Sequence, residues 1–507
     1  MRPMTKTLLA GFSVIIFSAW HQGVTAQPMP TMLHPDLDVR TVVSGLNQPT
    51  TMAFLGRDDI LVLEKATGRV QRVVNGVIQG PVLDLAVNSG SERGLLGIAL
   101  HPRFKKNRFV YLYWTESSTG ADTTALAETP LLGNRVDRFV WNGSTLRFDR
   151  NLIRLRALQP AFLEEPTPAA GRGNHDGGVL AFGPRARGGE HDDDDDDDDG
   201  GRKSQAKLYI VIGDVGRRGW MQNITTGLSA ACGRTICDDS FGGPEPDDAH
   251  LTGVVLRLND DGSTPKDNPF FGVGAEMGGE AGANIQKVFA YGIRNTFGMA
   301  FDPYSGELWL EQNADNAFTE LGRVEPGMNG GWVQIMGLVE RIAEFKAIET
   351  TPPFAGLQQA RWPPTNIADT PQEARLRLFM LPGAHYTNPE LSWRFEVAPA
   401  GIGFVAGRGL GTEFEGDLFM GGARETLVGG HLFRFKLTGN RRHIAVADPR
   451  LNDLVADNFA PFDITESESL LIGRDFGVGT DIRTGPNRNL FVVSLTHGAI
   501  YEIFRRR

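Results

Sequence analysis

A short apolar pattern recurs along this chain, and that recurrence limits the fold more than any other feature. The unit is an apolar strand, often closing on Phe-x-Pro or His-Pro, then a strand of the Leu-Phe-Val type, then a further strand with a Gly-x-Val-x-Arg-Val flavour. Copy one runs from Met52-Ala53-Phe54 through Ile60-Leu61-Val62-Leu63 to Gly68-Arg69-Val70-Gln71-Arg72-Val73. The second starts at Ile98-Ala99-Leu100-His101-Pro102, and the third at Leu180-Ala181-Phe182-Gly183-Pro184. The fourth starts at Met299-Ala300-Phe301-Asp302-Pro303, the fifth shows at Asp417-Leu418-Phe419-Met420, and the sixth at Ile482-Arg483-Thr484-Gly485-Pro486. Short strands repeated in this way predict an all-β, six-bladed β-propeller, because radial repetition hides sheet edges that one open sheet of this size would expose. Each unit is longer than a minimal blade, so the surplus goes into long inter-strand loops, where a rigid scaffold carries its binding site.

The remaining segments fit one domain, 27–507, behind a leader. Residues 1–26 read as a signal peptide: Arg2 and Lys6 precede an apolar run from Leu8 to Trp20, and Val24-Thr25-Ala26 offers a cleavage site. Nothing later is long and apolar enough to span a membrane, so a periplasmic or secreted protein is expected. In that oxidising space Cys232 and Cys237, the only two cysteines, are expected to form a disulfide. Asp192 to Asp199 is an unbroken acidic run inside a low-complexity loop near 186–204. Without it the net charge of −10 falls close to zero, and no basic surplus is present for nucleic acid. An insert near 333–393, between the fourth and fifth units, is less strand-like. Within it Asp369-Thr370-Pro371-Gln372-Glu373 has the form of a capped helix start.

Several chemistries lack their signatures. No Gly-x-Gly-x-x-Gly follows a strand, and there is no Gly-x-Ser-x-Gly, His-Glu-x-x-His or Cys-x-x-Cys-His. What remains is polar sequence at strand ends. Asn174-His175-Asp176-Gly177-Gly178 precedes the third unit's first strand, and Gly213-Asp214-Val215-Gly216 follows its second. Tyr291-Gly292-Ile293-Arg294-Asn295 precedes the fourth unit's first strand, and Glu311-Gln312-Asn313-Ala314-Asp315 follows its second. In a propeller these ends converge on one central mouth. Taken singly, each also suits a structural part: His175 a satisfied core contact, Arg294 an ion-pair partner, Asp214 a turn.

Together with Glu92-Arg93-Gly94-Leu95-Leu96-Gly97-Ile98-Ala99-Leu100-His101-Pro102, Val255-Leu256-Arg257-Leu258-Asn259-Asp260-Asp261-Gly262, Gly292-Ile293-Arg294-Asn295-Thr296-Phe297-Gly298 and Pro326-Gly327-Met328-Asn329-Gly330-Gly331-Trp332, these stretches resemble the glucose/sorbosone dehydrogenase family. The resemblance covers most of the chain from about Leu46 onward. It implies an oxidoreductase that uses pyrroloquinoline quinone (PQQ) and calcium to oxidise a sugar-type alcohol or aldose, passing electrons to an external acceptor, a quinone or a cytochrome. It implies His175 as general base and Asp214 as the residue that orients it. Arg294, Asn295, Gln312, Glu92 and Arg424 would meet the cofactor, and the backbone carbonyls of Asn313 and Ala314 would hold Ca2+.

The chain departs from the family pattern in four places. Glu92 stands where the glucose enzymes have Gln, Asn174 where they have Asp, and Asn313-Ala314 where they have Gly-Pro. Gly477 to Asp481 stands where an Arg-x-Arg is usual. Two other readings remain open: a calcium-dependent lactonase-like hydrolase, with Glu92, Asn313 and Asp315 in a metal cage, and a non-catalytic exported binding propeller.

Overall fold

A computed structural model of the chain describes residues 29–159, 171–184, 205–216, 251–354 and 364–506. The expected signal peptide, the acidic loop and the Cys232–Cys237 pair lie outside the described residues.

The described residues form an all-β propeller in which helices are few and short. The strands lie in six sheets. The first sheet is a meander of Pro49–Gly56, Asp59–Glu64, Arg69–Val74 and Val77–Asp84. Its second strand is buried along nearly its whole length, whereas its outermost strand is exposed or half-buried except at Val82. This gradient has a physical cause. A strand near the axis is covered on both faces by neighbouring sheets and reads as a continuous apolar run, while the rim strand meets water. The same contrast separates Leu490–Ser494, buried throughout, from Leu37–Ser44 at the outer edge of the last sheet.

The first strands of the sheets touch one another in a closed cycle: Pro49–Gly56, Leu95–Leu100, Leu180–Phe182, Met299–Phe301, Pro399–Phe404, Gly479–Thr484, and back to Pro49–Gly56. All six line one axial cavity of about 270 Å³. The core is divided accordingly. Tyr209, Val211 and Val255 of the third sheet pack with Leu308, Leu310 and Val324 of the fourth. Trp309, Leu321 and Trp393 of the fourth pack with Leu418, Phe433 and Phe435 of the fifth. Chain closure is made in the last sheet, where Leu37–Ser44 pairs antiparallel with Ala499–Arg505. That pairing ties the two ends of the described chain together and covers an otherwise open edge.

The insert residues Ile335, Val339, Ile342 and Phe345 share one core with Phe318 of the fourth sheet's third strand and with Trp332. The expected helix is there as Pro371–Leu376, with Thr370 accepting a hydrogen bond from the Glu373 amide. The insert lies within the fourth sheet instead of after it: Leu391–Phe395 pairs with Ala317–Val324, so the chain leaves that sheet after its third strand and returns to add its fourth, outside which Val455–Ala456 pairs. Sequence periodicity could not reveal this, because a five-residue strand carries little signal of its own.

Candidate active site

Because adjacent strands run antiparallel, the segments preceding first strands and following second strands share one rim. His175, on the approach to Leu180–Phe182, therefore meets Asp214, which follows Lys207–Ile212. The His175 Nδ1 lies 2.6 Å from Asp214 Oδ1. A carboxylate only accepts, so Nδ1 carries the hydrogen, and in the neutral imidazole that leaves the lone pair on Nε2. Asp214 is fully buried. Its Oδ2 accepts from the Trp332 indole N–H at 2.8 Å, and its Oδ1 also accepts from the Gly216 amide at 2.9 Å. Burial pushes its carboxyl up, but His175, Arg294 and Trp332 outweigh that and hold it below the ordinary value. The Asp214 amide in turn donates to the Arg294 carbonyl at 2.8 Å. Glycine is obligatory at 213, since a Cβ there would sit 2.6 Å from both the His175 and the Arg294 carbonyl oxygens.

Arg294 occupies the centre of the neighbouring loop and is almost wholly buried. Its guanidinium donates to the Asn313 carbonyl at 2.8 Å and to Asp315 Oδ1 at 2.9 Å, and lies 5.3 Å from the Trp332 ring centroid. Gln312 braces it from below: Oε1 accepts the Arg294 amide at 2.9 Å, and Nε2 donates to Glu320 at 2.7 Å. Both ends of that side chain, expected at the cofactor, are thus engaged with protein. Asn313 donates from its side chain to the Pro399 carbonyl at 2.9 Å and to Glu311 at 3.2 Å, and Ala314 is packed in the insert core. Asn295 donates to Glu92 at 3.4 Å. Glu92 also accepts the His175 amide at 2.5 Å. The structure therefore gathers His175, Asp214, Arg294, Asn295, Gln312, Glu92 and Asn313 into one cluster. Arg424 is the exception. It follows Leu418–Gly422 on the same rim, is half exposed and pairs with Asp475 at 3.7 Å, but among the described residues no hydrogen bond or ion pair joins it to the cluster.

Three residues at the mouth escaped the sequence reading. Trp332 links Asp214 to Arg294. It sits in Gly330-Gly331-Trp332, a stretch that marked the family resemblance without suggesting a role. Glu349 of the helix Ile342–Thr350 caps the amides of Asn316 and Ala317, and burial and Asp315 push it up to about 8. Glu396 follows Leu391–Phe395 and is half-buried, with no hydrogen bond to its carboxyl among the described residues. Burial, together with Asp315 and Glu92, pushes it up to about 8 against the pull of Arg294. Neither glutamate has a local sequence signal, since each reaches the mouth only through the insert or the fourth strand of the fourth sheet. The cage that a hydrolase would need from Glu92, Asn313 and Asp315 is not assembled: these side chains are directed to the His175 amide, to Glu311 and Pro399, and to Arg294.

Comparison with known proteins gives a consistent picture. The family model described as Glucose / Sorbosone dehydrogenase matches residues 46–352. Quinoprotein glucose dehydrogenase B of Acinetobacter calcoaceticus is 27% identical over 339 residues, covering 65% of this chain and 59% of that protein. Aldose sugar dehydrogenase YliI of Escherichia coli strain K12 is 24% identical over 301 residues, covering 58% of this chain and 62% of that one. The chain thus spans less than two thirds of these two relatives. Among solved structures, the PQQ-bound aldose sugar dehydrogenase of Streptomyces coelicolor shares the fold with a TM-score of 0.51 and 22% identity, over 93% of this chain and 98% of that one.

Proposed function

Because the chain belongs to the glucose/sorbosone dehydrogenase family, and its relatives include a quinoprotein glucose dehydrogenase and an aldose sugar dehydrogenase, we propose that it is a quinoprotein that oxidises a sugar-type alcohol or aldose. The six sheets are read as six blades around the axial cavity, with the active site on the rim that carries His175. The observation that carries the reading is the 2.6 Å contact between His175 Nδ1 and a fully buried Asp214, set beside Arg294. Export to the periplasm or beyond is part of the proposal. Among the described residues no helix is long and apolar enough to cross a membrane.

The residues fit a quinone bearing carboxylates. Arg294 brings positive charge to the mouth, and two buried polar atoms on the pair expected to meet the cofactor, Arg294 Nε and Asn295 Oδ1, have no hydrogen-bond partner among the described residues. Arg294 and Asn295 would hold the group, with Arg424 as a further cation on the rim. When bound, PQQ supplies an acceptor for the hydride leaving the sugar carbon. His175 Nε2 takes the hydroxyl proton as that C–H bond breaks, so the alcohol becomes a carbonyl and the proton stays on the imidazole. Asp214 fixes the tautomer that leaves Nε2 free and stabilises the imidazolium that forms.

Calcium on the carbonyls of Asn313 and Ala314 is the part of the expectation that these residues do not fit. The Asn313 carbonyl already accepts from Arg294, and a divalent cation placed on the same oxygen would face that guanidinium across a few ångströms of weakly screened space. No step is therefore routed through a metal. The experiment is an absorbance titration of the cofactor-free protein with PQQ, in calcium and in chelator, followed by dye-linked sugar oxidation. Micromolar binding in both media and turnover of an aldose are expected. Failure of PQQ to bind in either medium would overturn the proposal.

A further inference from the structure

His175 stands in a backbone conformation that its own side chain disfavours. Its φ is 61°, in the left-handed region that non-glycine residues rarely adopt. Gly177 and Gly178 follow at φ 63° and 104°. The turn is wedged between other backbones: a Cβ on Gly97 would lie 1.9 Å from the Gly178 carbonyl oxygen, and a Cβ on Gly213 would press on that of His175. Wedging limits where the turn can go, but it does not choose the peptide orientation. The Glu92 carboxylate supplies that choice, since Oε2 accepts the His175 amide at 2.5 Å across 83 residues of sequence.

Glu92 is itself held. Lys65 donates to the carbonyls of Ser89 and Ser91 at 2.8 and 2.9 Å, fixing the loop just before it. Arg93, the next residue, donates to Asn88 at 2.8 Å and to the carbonyl of Gly173, two residues before His175. The loop carrying Glu92 and the turn carrying His175 are therefore stitched at two points.

We propose that Glu92 is a positioning residue for His175: its carboxylate anchors the His175 amide, sets the left-handed turn and so aims the imidazole at Asp214. The inference rests on the reading of His175 as the proton acceptor. It also gives Glu92 a role besides cofactor contact, because its Oε2 accepts from both the His175 amide and the Asn295 side chain. A glutamine at this position keeps an accepting oxygen at the same reach, so the anchor survives loss of the charge. Alanine removes it. Aspartate keeps the charge but falls one methylene short.

The test compares Glu92→Gln, Glu92→Ala and Glu92→Asp in the full-length protein, with two readouts. The first needs no activity: the far-downfield proton resonance of the His175–Asp214 hydrogen bond in cofactor-free protein. It is expected to persist in Glu92→Gln and to weaken or move upfield in Glu92→Ala and Glu92→Asp. The second is kinetic. Losing a charge-assisted hydrogen bond that orients the base should lower kcat on the order of 10- to 100-fold in Glu92→Ala. The sugar KM should stay within about threefold, and Glu92→Gln should recover most of the rate. Should Glu92→Ala fail to fold, Glu92→Asp provides the same contrast with Glu92→Gln. An unchanged resonance in both shortened variants, or a glutamine variant as impaired as the alanine one, would overturn the proposal. A wild-type protein that shows the resonance but oxidises no sugar with PQQ would refute the proposed function and leave the anchoring role standing.

Discussion

Asp214→Asn perturbs the site at the atom on which the proposed proton transfer depends. Asp214 accepts three N–H groups in a fully buried setting: His175 Nδ1 and the Gly216 amide on Oδ1, and Trp332 Nε1 on Oδ2. An asparagine fills the same volume but has one accepting oxygen and an NH2. The indole and the Gly216 amide are fixed donors on opposite oxygens, so one of them must face the NH2; where the oxygen turns to Trp332, the NH2 faces His175. The imidazole then accepts at Nδ1 and carries its hydrogen on Nε2, where it cannot take a proton from an alcohol. Removing a general base altogether costs ~10²–10⁴-fold in rate. Asp214→Asn, which leaves the base present but in the wrong tautomer, is expected near the lower end, on the order of 10²-fold in kcat. The Gly216 amide also loses its acceptor, and a buried unsatisfied donor destabilises by about 1–3 kcal/mol. The pH dependence has a definite sign. Because the Asp214 carboxyl is held below its ordinary value, its ionised form contributes stability that is present above the unfolded carboxylate range and lost as pH falls through the lower folded value. The stability gap between parent and variant should therefore narrow in acid. Dye-linked turnover of PQQ-reconstituted protein and thermal melts across pH measure both effects. A variant within about threefold of the parent in kcat would refute the tautomer argument and locate the base elsewhere.

Two further outcomes follow from the same geometry. Gly213→Ala should displace the His175 turn, since its Cβ would meet two backbone oxygens at 2.6 Å; a loss of about 1–3 kcal/mol in chemical denaturation together with depressed turnover is expected, and a fully active, equally stable variant would count against the tight packing. Glu396 is pushed up to about 8, chiefly by burial, from an ordinary 4.5, so the folded protein holds its proton where the unfolded chain has released it, and stability falls as pH rises from about 4.5 to 8. Glu396→Gln should therefore gain melting temperature relative to the parent as pH rises through that window, and a difference that stays constant with pH would show that Glu396 does not titrate there.

The strands were legible in the sequence because each sheet repeats the same demand. An inner strand packed on both faces needs a run such as Leu490-Phe491-Val492-Val493, and the residues between runs need turn chemistry. Repetition of that local demand indicates a propeller without any long-range information. The main site residues were legible for a related reason: His175, Asp214, Arg294 and Asn313 all stand at strand ends, and topology alone sends those ends to one rim. Their partners were not legible. That Glu92 grips the His175 amide, that Trp332 bonds Asp214, and that Arg294 takes the Asn313 carbonyl are facts of side-chain direction between segments far apart in the chain. Glu349 and Glu396 come to the mouth only because the insert folds back and its last strand joins the fourth sheet. The sequence by itself determined which residues could form strands and which polar groups would gather at the rim, because those depend on local pattern and chain direction. Only the tertiary structure decided how the charges there are paired, because a buried carboxylate takes whichever N–H group the packing brings within hydrogen-bonding distance.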